Sequence, residues 1–138
     1  MNNWQPISRP LHGIADVAYI PAVASAPETV GFTEEETATT LCRAISGGTL
    51  VSALVTRAEW GAVKVMPYKA HLAIDFATSL FSLAAPWLFG FAKNEKARNT
   101  FLAMGLTGLV VGALSRPEEM DPDKVQKLQR RANNLPAL

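Results

Sequence analysis

The chain has 138 residues, of which 49% are apolar and only 18% are charged, whereas about 25% are charged in a typical soluble domain. This length corresponds to one domain, and a net charge of +1 gives no indication of a nucleic-acid-binding surface, so we predict no nucleic-acid partner. The single cysteine, Cys42, excludes an internal disulfide.

An internal repeat organises the sequence. When the chain is shifted by 59 residues, His12–Glu59 aligns with His71–Glu118 without a gap. The identical pairs include His12/His71, Asp16/Asp75, Pro27/Pro86, Gly31/Gly90, Phe32/Phe91, Arg57/Arg116 and Glu59/Glu118. Such self-similarity indicates that one supersecondary unit is used twice.

The repeat divides the chain into five predicted segments. They are an N-terminal cytoplasmic segment (1–9), a first two-helix repeat (10–59), an inter-repeat loop (60–66), a second two-helix repeat (67–118) and a basic cytoplasmic tail (119–138). Each repeat is predicted to fold as helix, short turn and helix.

In the first repeat, apolar runs predict helices over Pro10–Val30 and Glu34–Thr56. Each has about 20 residues, which is enough to cross about 30 Å of hydrocarbon. Pro10 suits the first turn of a helix, where its missing N–H costs nothing. Thr33 and Glu36 have the spacing of a capping box, so we predict that Thr33 caps the second helix.

In the second repeat, the corresponding helices are predicted over Pro67–Phe89 and Lys93–Ser115, with Pro67 in the first turn. Beyond them, Asp121-Pro122-Asp123 has the pattern of a helix start. A short basic surface helix is therefore predicted over Lys124–Ala132.

Each repeat also carries a proline followed four residues later by glycine. Pro27 and Pro86 remove a helix hydrogen bond, and are predicted to bend the first helix of each repeat near its end. Gly31 and Gly90 then permit the turn into the next helix.

Two stretches, Phe76–Phe91 and Phe101–Leu114, have no charged face at all, whereas every helix of a soluble bundle should have one. The predicted helix-packing positions are small residues of the kind found between membrane helices: Ser46, Gly47, Ser52, Gly105, Gly108 and Gly112. Asp16 and Arg43, within the first two helices, favour the alternative of a soluble bundle that binds a hydrophobic ligand. We predict an all-α fold, a four-helix transmembrane bundle made of two parallel-oriented helical hairpin repeats.

Basic residues predict the orientation of this bundle. One end collects Arg9, Arg57, Lys64, Lys69, Arg116, Lys124, Lys127, Arg130 and Arg131. The other end has Lys93, Lys96 and Arg98 beside an acidic group. The positive-inside rule therefore predicts both termini on the cytoplasmic side. The aromatic residues predicted at the two membrane interfaces are Trp60 and Tyr68 inside, and Trp87, Phe89 and Phe91 outside.

The segment Ala85-Pro86-Trp87-Leu88-Phe89-Gly90-Phe91 resembles the signature of the SPW-repeat family of small bacterial membrane proteins. In that family a Ser-Pro-Trp motif lies in the first of two transmembrane helices of each repeat. Here Ala85 replaces the Ser, and the first copy reads Ala26-Pro27-Glu28, without Trp. The resemblance implies a multi-pass protein of the bacterial inner membrane, and it implies no catalytic residues.

One set of residues has the chemistry for a site. His12 with Asp16, and His71 with Asp75, are spaced so that each pair shares one helix face. The parallel repeat places both pairs at the same depth. If the first helices of the two repeats face each other, two imidazoles and two carboxylates converge on the axis between the repeats. Ionisable groups inside a span cost on the order of 2–3 kcal/mol each, which makes them functional candidates.

Three interpretations of this set remain open. The four groups satisfy one another and lock the two repeats together, in which case no cofactor is needed. Alternatively, the two His are axial ligands to a haem and each Asp holds the other ring nitrogen. Alternatively, the set binds a divalent metal, whose identity the sequence leaves unknown, or relays protons in a transport step.

Familiar catalytic motifs are missing from the sequence, including Gly-x-Ser-x-Gly, a phosphate-binding glycine loop and His-Glu-x-x-His. We therefore predict a non-catalytic, polytopic membrane protein that acts as a structural or accessory module. Its expected partners are the lipid bilayer and either further copies of itself or the other subunits of a larger membrane complex. Arg43 is predicted either to extend its charged group to the outer surface or to pair with a nearby acid such as Glu35 or Glu36, and Cys42 is predicted to fill an apolar space.

Overall fold

A computed structural model describes residues 4–135, and the ends of the two predicted terminal segments lie outside this range. Over the described residues the fold is all-helical, with five α-helices and no strands. The helices are α1 (Arg9–Ala26), α2 (Glu36–Val55), α3 (Tyr68–Leu88), α4 (Glu95–Leu114) and α5 (Pro122–Asn133). The predicted all-α class is confirmed, and each predicted helix is present.

The first helix of each repeat ends differently, although both lead to a glycine turn. After α1 the chain continues into a π-helical turn, Pro27–Gly31, whereas α3 continues as α-helix through Pro86. Gly31 (φ 85°) and Gly90 (φ 79°) then adopt the left-handed conformation that side chains with a Cβ rarely tolerate. The turn predicted at these two glycines is therefore confirmed.

At the start of α2, the structure differs from the cap that the local sequence pattern predicts. Thr33 does not cap α2, because the helix begins only at Glu36 and its N-cap residue, Glu35, makes no side-chain cap bond. Thr33 lies in the turn, since the chain must first pass from Gly31 back toward the bundle. In the second repeat the equivalent of Glu35 is Asn94, which does cap its helix by accepting a hydrogen bond from the Ala97 N–H at 3.1 Å.

The N-terminus of α3 is capped by a residue that lies far away in the sequence. Pro67 is the N-cap residue of α3, so the prediction that it lies in the first turn of the helix is wrong. The Glu119 carboxylate accepts hydrogen bonds from the N–H groups of Tyr68 at 2.9 Å and Lys69 at 2.8 Å. A carboxylate at this position also complements the positive end of the helix dipole.

The two hairpins form a four-helix bundle in which α1 packs against α2 and α3 packs against α4. Less extensive contacts join α2 to α3 and α1 to α4, and this arrangement makes α1 and α3 face each other across the centre of the bundle. The segment before α1 pairs with the end of α4 through Ile7 and Ser115, and the segment before α3 pairs with the end of α2 through Met66 and Thr56. These two pairings are related by the 59-residue repeat, and both repeats point the same way.

The two ends of the bundle differ in chemistry. At the end with the glycine turns lies an apolar core, whose largest side chains are Phe32, Phe91 and Phe101. Cys42 is fully buried in this core, as predicted. Phe91 is only 2% exposed, so its predicted place at the membrane interface is wrong. At the opposite end the His and Asp residues meet beneath the inter-repeat loop.

The predicted packing residues divide into two groups. At Gly105 and Gly108, an added Cβ would lie 2.7 Å from the Ser79 carbonyl oxygen and 2.0 Å from its Oγ, so α4 approaches α3 closely there. At Gly47 and Gly112 an added Cβ would meet nothing within 4 Å among the described residues. These two glycines are not packing positions within the chain.

Candidate polar site between the two repeats

The four ionisable residues come together on the bundle axis. His12 and Asp16 lie in the first two turns of α1, and His71 and Asp75 lie in the first two turns of α3. One nitrogen or oxygen atom from each residue falls within 4.8 Å of the other three. His71 is fully buried, His12 and Asp16 are buried and Asp75 is partly exposed. The structure thus brings together the set that the repeat indicated.

Each imidazole contacts a carboxylate of both repeats. His12 Nε2 lies 3.1 Å from Asp75 Oδ2 and 3.6 Å from Asp16 Oδ1. His71 Nε2 lies 3.1 Å from Asp16 Oδ2 and 3.1 Å from Asp75 Oδ2. The cross-repeat contacts are therefore at least as close as those within each helix, and they join α1 to α3.

The other nitrogen of His12 is held by a hydroxyl group. His12 Nδ1 lies 2.8 Å from Ser115 Oγ, and Ser115 Oγ donates its own hydrogen to the Val111 carbonyl at 2.7 Å. Because that hydroxyl hydrogen is already used, we assign the hydrogen of the first contact to His12 Nδ1.

The same arrangement recurs at His71. Its Nδ1 lies 3.1 Å from Thr56 Oγ1 and 3.0 Å from Ser52 Oγ. Thr56 Oγ1 donates to the Ser52 carbonyl at 2.6 Å, so it can only accept a hydrogen from His71 Nδ1, whereas the Ser52 hydroxyl can either donate to that nitrogen or accept from it. Sequence reasoning identified Ser52 only as a packing residue and missed Thr56 and Ser115. Their alignment in the repeat, as two hydroxyl residues at equivalent positions, was the available signal.

Two aromatic rings cover the site at the end of the bundle. The Tyr68 ring stacks on His71 at 6.1 Å between centroids, and the Trp60 ring stacks on His12 at 6.4 Å. Gly13 makes room for Trp60, because an added Cβ would lie 2.2 Å from the indole ring. Tyr68 is fully buried, so its predicted interfacial position is wrong. The rings shield the imidazoles from solvent.

The inter-repeat loop that carries Trp60 is closed by a buried lysine. Lys64 Nζ donates hydrogen bonds to the carbonyl groups of Gly61 and Ala58. Its side chain is therefore part of the loop structure and is not a free positive charge of the surface. This contact fixes Trp60 over α1, which no local sequence pattern indicated.

Deeper in the bundle, a cavity of about 60 Å³ borders the two carboxylates. Besides His12, Asp16 and Asp75, its polar lining comes from Tyr19, Thr49, Thr78, Ser79 and Thr107. A single water needs about 10–15 Å³, so the cavity is large enough for several waters. It is far below the roughly 300–1,000 Å³ of pockets that hold larger organic ligands.

A haem does not fit this arrangement. Iron between two axial imidazoles would occupy the space between their Nε2 atoms, and Asp75 Oδ2 lies 3.1 Å from both. The two imidazole centroids are only 5.3 Å apart, at an interplanar angle of 80°. The residues present therefore favour the clamp or the small-ion interpretation over the haem interpretation.

Among the described residues, the ion pairs outside the centre form two separate groups. Near the glycine turns, Arg43 pairs with a nearby acid as predicted, but the acid is Glu28 and not Glu35 or Glu36. At the site end, Arg9 holds Glu59 with hydrogen bonds of 2.9 and 2.8 Å. These bonds lower the pKa of Glu59 to about 2. Lys124 of α5 lies 3.5 Å from the same carboxylate, which links the tail to the bundle.

The chain matches no protein-family model, no curated protein and no solved structure. The site must therefore be interpreted from its geometry.

Proposed function

We propose that this protein is a four-span membrane protein of the SPW-repeat type. In this proposal it acts as a non-catalytic structural or accessory module of the bacterial inner membrane, with both termini cytoplasmic. Two parallel hairpins are held together by the His/Asp cluster, and the bundle presents its apolar outer faces to lipid and to neighbouring subunits.

Apolar exposure supports the membrane assignment. Two helices, α2 and α4, are long and apolar enough to cross a bilayer, and only 39% and 22% of their apolar windows are buried in the chain. α1 and α3 each carry a His and an Asp, which lower their hydropathy. All four helices nevertheless expose large apolar residues, among them Ile14, Val17, Val51, Phe76, Leu80, Leu106 and Val110. Such a band marks a surface that contacts lipid or protein.

The main support for a structural role is that each His contacts the Asp of the other repeat. His12 contacts Asp75, and His71 contacts Asp16, each at 3.1 Å. In each contact, the Nε2 atom lies at hydrogen-bond distance from a carboxylate oxygen of the other repeat. Contacts of this kind satisfy buried polar groups that would otherwise be costly to remove from water.

The expected partners follow from the remaining surfaces. Gly47 and Gly112 leave small-residue positions open on the outside of α2 and α4, suited to helices of another copy or another subunit. On α5, the basic residues Lys124, Lys127, Arg130 and Arg131 are suited to anionic lipid headgroups at the cytoplasmic surface.

Thiol labelling tests the topology. In a Cys42→Ala background, single cysteines are introduced by Lys93→Cys at the turn end and Arg130→Cys on α5. A membrane-impermeant maleimide should label the Lys93→Cys variant in intact spheroplasts, and the Arg130→Cys variant only after permeabilisation. Labelling of both from the outside, or recovery of the protein in the aqueous fraction without detergent, contradicts the proposal.

A further inference from the structure

We propose that His12, Asp16, His71 and Asp75 form a binding site for one divalent transition-metal ion, with Zn²⁺ as the best-suited ion. This inference goes beyond the structural role proposed above, because the clamp alone requires no ligand. It assigns the two Nε2 atoms and one oxygen from each carboxylate as the four ligand atoms.

The first argument is the spacing of these atoms. Zinc binds imidazole nitrogen and carboxylate oxygen at about 2.0–2.2 Å, so neighbouring ligands of a tetrahedral site are about 3.3–3.5 Å apart. Asp75 Oδ2 lies 3.1 Å from each Nε2 atom, and Asp16 Oδ2 lies 3.1 Å from His71 Nε2. His12 Nε2 is 3.6 Å from the other oxygen of Asp16, and one ligand atom from each of the four residues lies within 4.8 Å of the other three. An ion can therefore be held at the centre once the ligand atoms that lie farthest apart draw together.

The second argument is the orientation of the rings. His12 Nδ1 lies at hydrogen-bond distance from the Ser115 hydroxyl, and His71 Nδ1 from the hydroxyl groups of Thr56 and Ser52. Metal-binding His residues almost always hold their second ring nitrogen in this way, because the bond fixes the ring and leaves the other nitrogen free to ligate. Both free nitrogens face the same pair of carboxylates.

The third argument is charge. When a divalent ion binds to two neutral imidazoles and two carboxylates, the charges of the five groups sum to zero. No net charge then remains in the interior of the bundle, where an uncompensated charge would be costly.

The donor set also indicates the kind of ion. Two imidazoles with two carboxylates suit Zn²⁺ and its neighbours among the first-row metals better than Mg²⁺ or Ca²⁺, which prefer sites made only of oxygen. Thiolate is not available, because Cys42 lies in the apolar core at the opposite end. The 60 Å³ cavity borders Asp16 and Asp75, beside the ligand atoms.

Cobalt provides the test on the full chain, purified in mild detergent and treated with a chelator. Titration with Co²⁺ should give the intense visible bands of tetrahedral cobalt, saturating at one ion per chain, and Zn²⁺ should abolish them. The Asp16→Asn and His71→Gln variants should lose the bands. Glu28→Gln, at the opposite end of the bundle, is the matched control and should keep them.

A wild-type protein that gives no tetrahedral bands up to millimolar Co²⁺ overturns the metal site. Because this result comes from the unmodified chain, misfolding of a variant cannot produce it. It would leave the membrane proposal intact if thiol labelling gives the expected pattern. Conversely, tetrahedral bands in a protein found in the aqueous fraction would support the site and overturn the membrane assignment.

The hydroxyl groups behind the rings give a second readout. Ser115→Ala removes the acceptor of the His12 Nδ1–H without touching a ligand atom, so the affinity for Co²⁺ should fall by about 10–100-fold. Ser25→Ala, which removes a hydroxyl that bonds the carbonyl of Pro21 in its own helix and lies away from the site, should leave the affinity unchanged. An unchanged affinity in Ser115→Ala, in a protein that retains its wild-type melting temperature, contradicts the assigned orientation of the ring.

Discussion

At the scale of single residues, the site depends on groups that hold the His and Asp side chains in place. Trp60 covers His12 because α1 has no side chain at Gly13, and Arg9 fixes the loop end through Glu59. These contacts come from the inter-repeat loop and the helix starts. Changes in them should alter stability without removing an ionisable group of the cluster.

Gly13→Ala should destabilise the fold by about 1–3 kcal/mol, because its Cβ would overlap the Trp60 ring and force the loop outward. The melting temperature of the purified protein measures the effect. Gly47→Ala, an equally small change in α2 with open space around it, is the control. It should be neutral or stabilising, since alanine favours helix over glycine. Equal losses in both variants would argue against the Trp60 contact.

The Arg9–Glu59 pair should make the stability of the folded protein depend on pH in the acidic range. The pKa of Glu59 is lowered in the folded state from 4.5 to about 2, so its contribution is complete above pH 4.5 and is lost as the pH falls toward 2. Over that window, wild-type protein should lose its stability advantage over Glu59→Gln. Melting temperatures at several pH values measure this, with Glu34→Gln at the opposite end as the charge control. A pH-independent difference contradicts the prediction.

At the scale of elements, the two repeats use the same helices with different caps. Asn94 accepts a hydrogen bond from the Ala97 N–H, whereas its equivalent, Glu35, makes no side-chain cap bond. The starts of α1 and α3 likewise differ, since Ser8 accepts a hydrogen bond from Leu11 while Glu119 reaches α3 from a distant loop. The four helix starts of the duplicated framework therefore differ: α1 and α4 have a local side-chain cap, α3 is capped by Glu119, and α2 has no side-chain cap bond.

Asn94→Ala should cost about 0.5–2 kcal/mol, because it leaves the first turn of α4 without its side-chain acceptor. Glu35→Ala, at the equivalent position of α2, should cost much less because no cap bond is lost. Chemical denaturation of the two variants side by side gives the comparison. A loss in Glu35→Ala as large as that in Asn94→Ala would show that the cap bond is not the cause.

These elements also show what sequence could and could not predict. The helices and the glycine turns follow from apolar runs and local φ preferences, and the 59-residue repeat was sufficient to place the His and Asp pairs together. The cap at Thr33 was wrong because the turn geometry overrode a local pattern. The roles of Trp60 and Glu119 could not be predicted, since each depends on how a loop returns over the bundle.

At the scale of the whole molecule, one duplicated hairpin makes a bundle with two different ends. The turn end is an apolar core, and the opposite end joins α1 to α3 through charged side chains. Those contacts cross between the repeats, so the halves depend on each other. The outer faces of the four helices remain apolar, which is the basis of the proposed place in a membrane.

A double-mutant cycle between His12 and Asp75 tests this interdependence most directly. The free energy of unfolding is measured for wild-type protein, His12→Ala, Asp75→Asn and the double variant in the same detergent. Because the two side chains meet across the repeats at 3.1 Å, we predict a coupling energy of about 1–3 kcal/mol. Strictly additive losses from the two substitutions would mean that the repeats are not joined through these side chains, and would contradict the account.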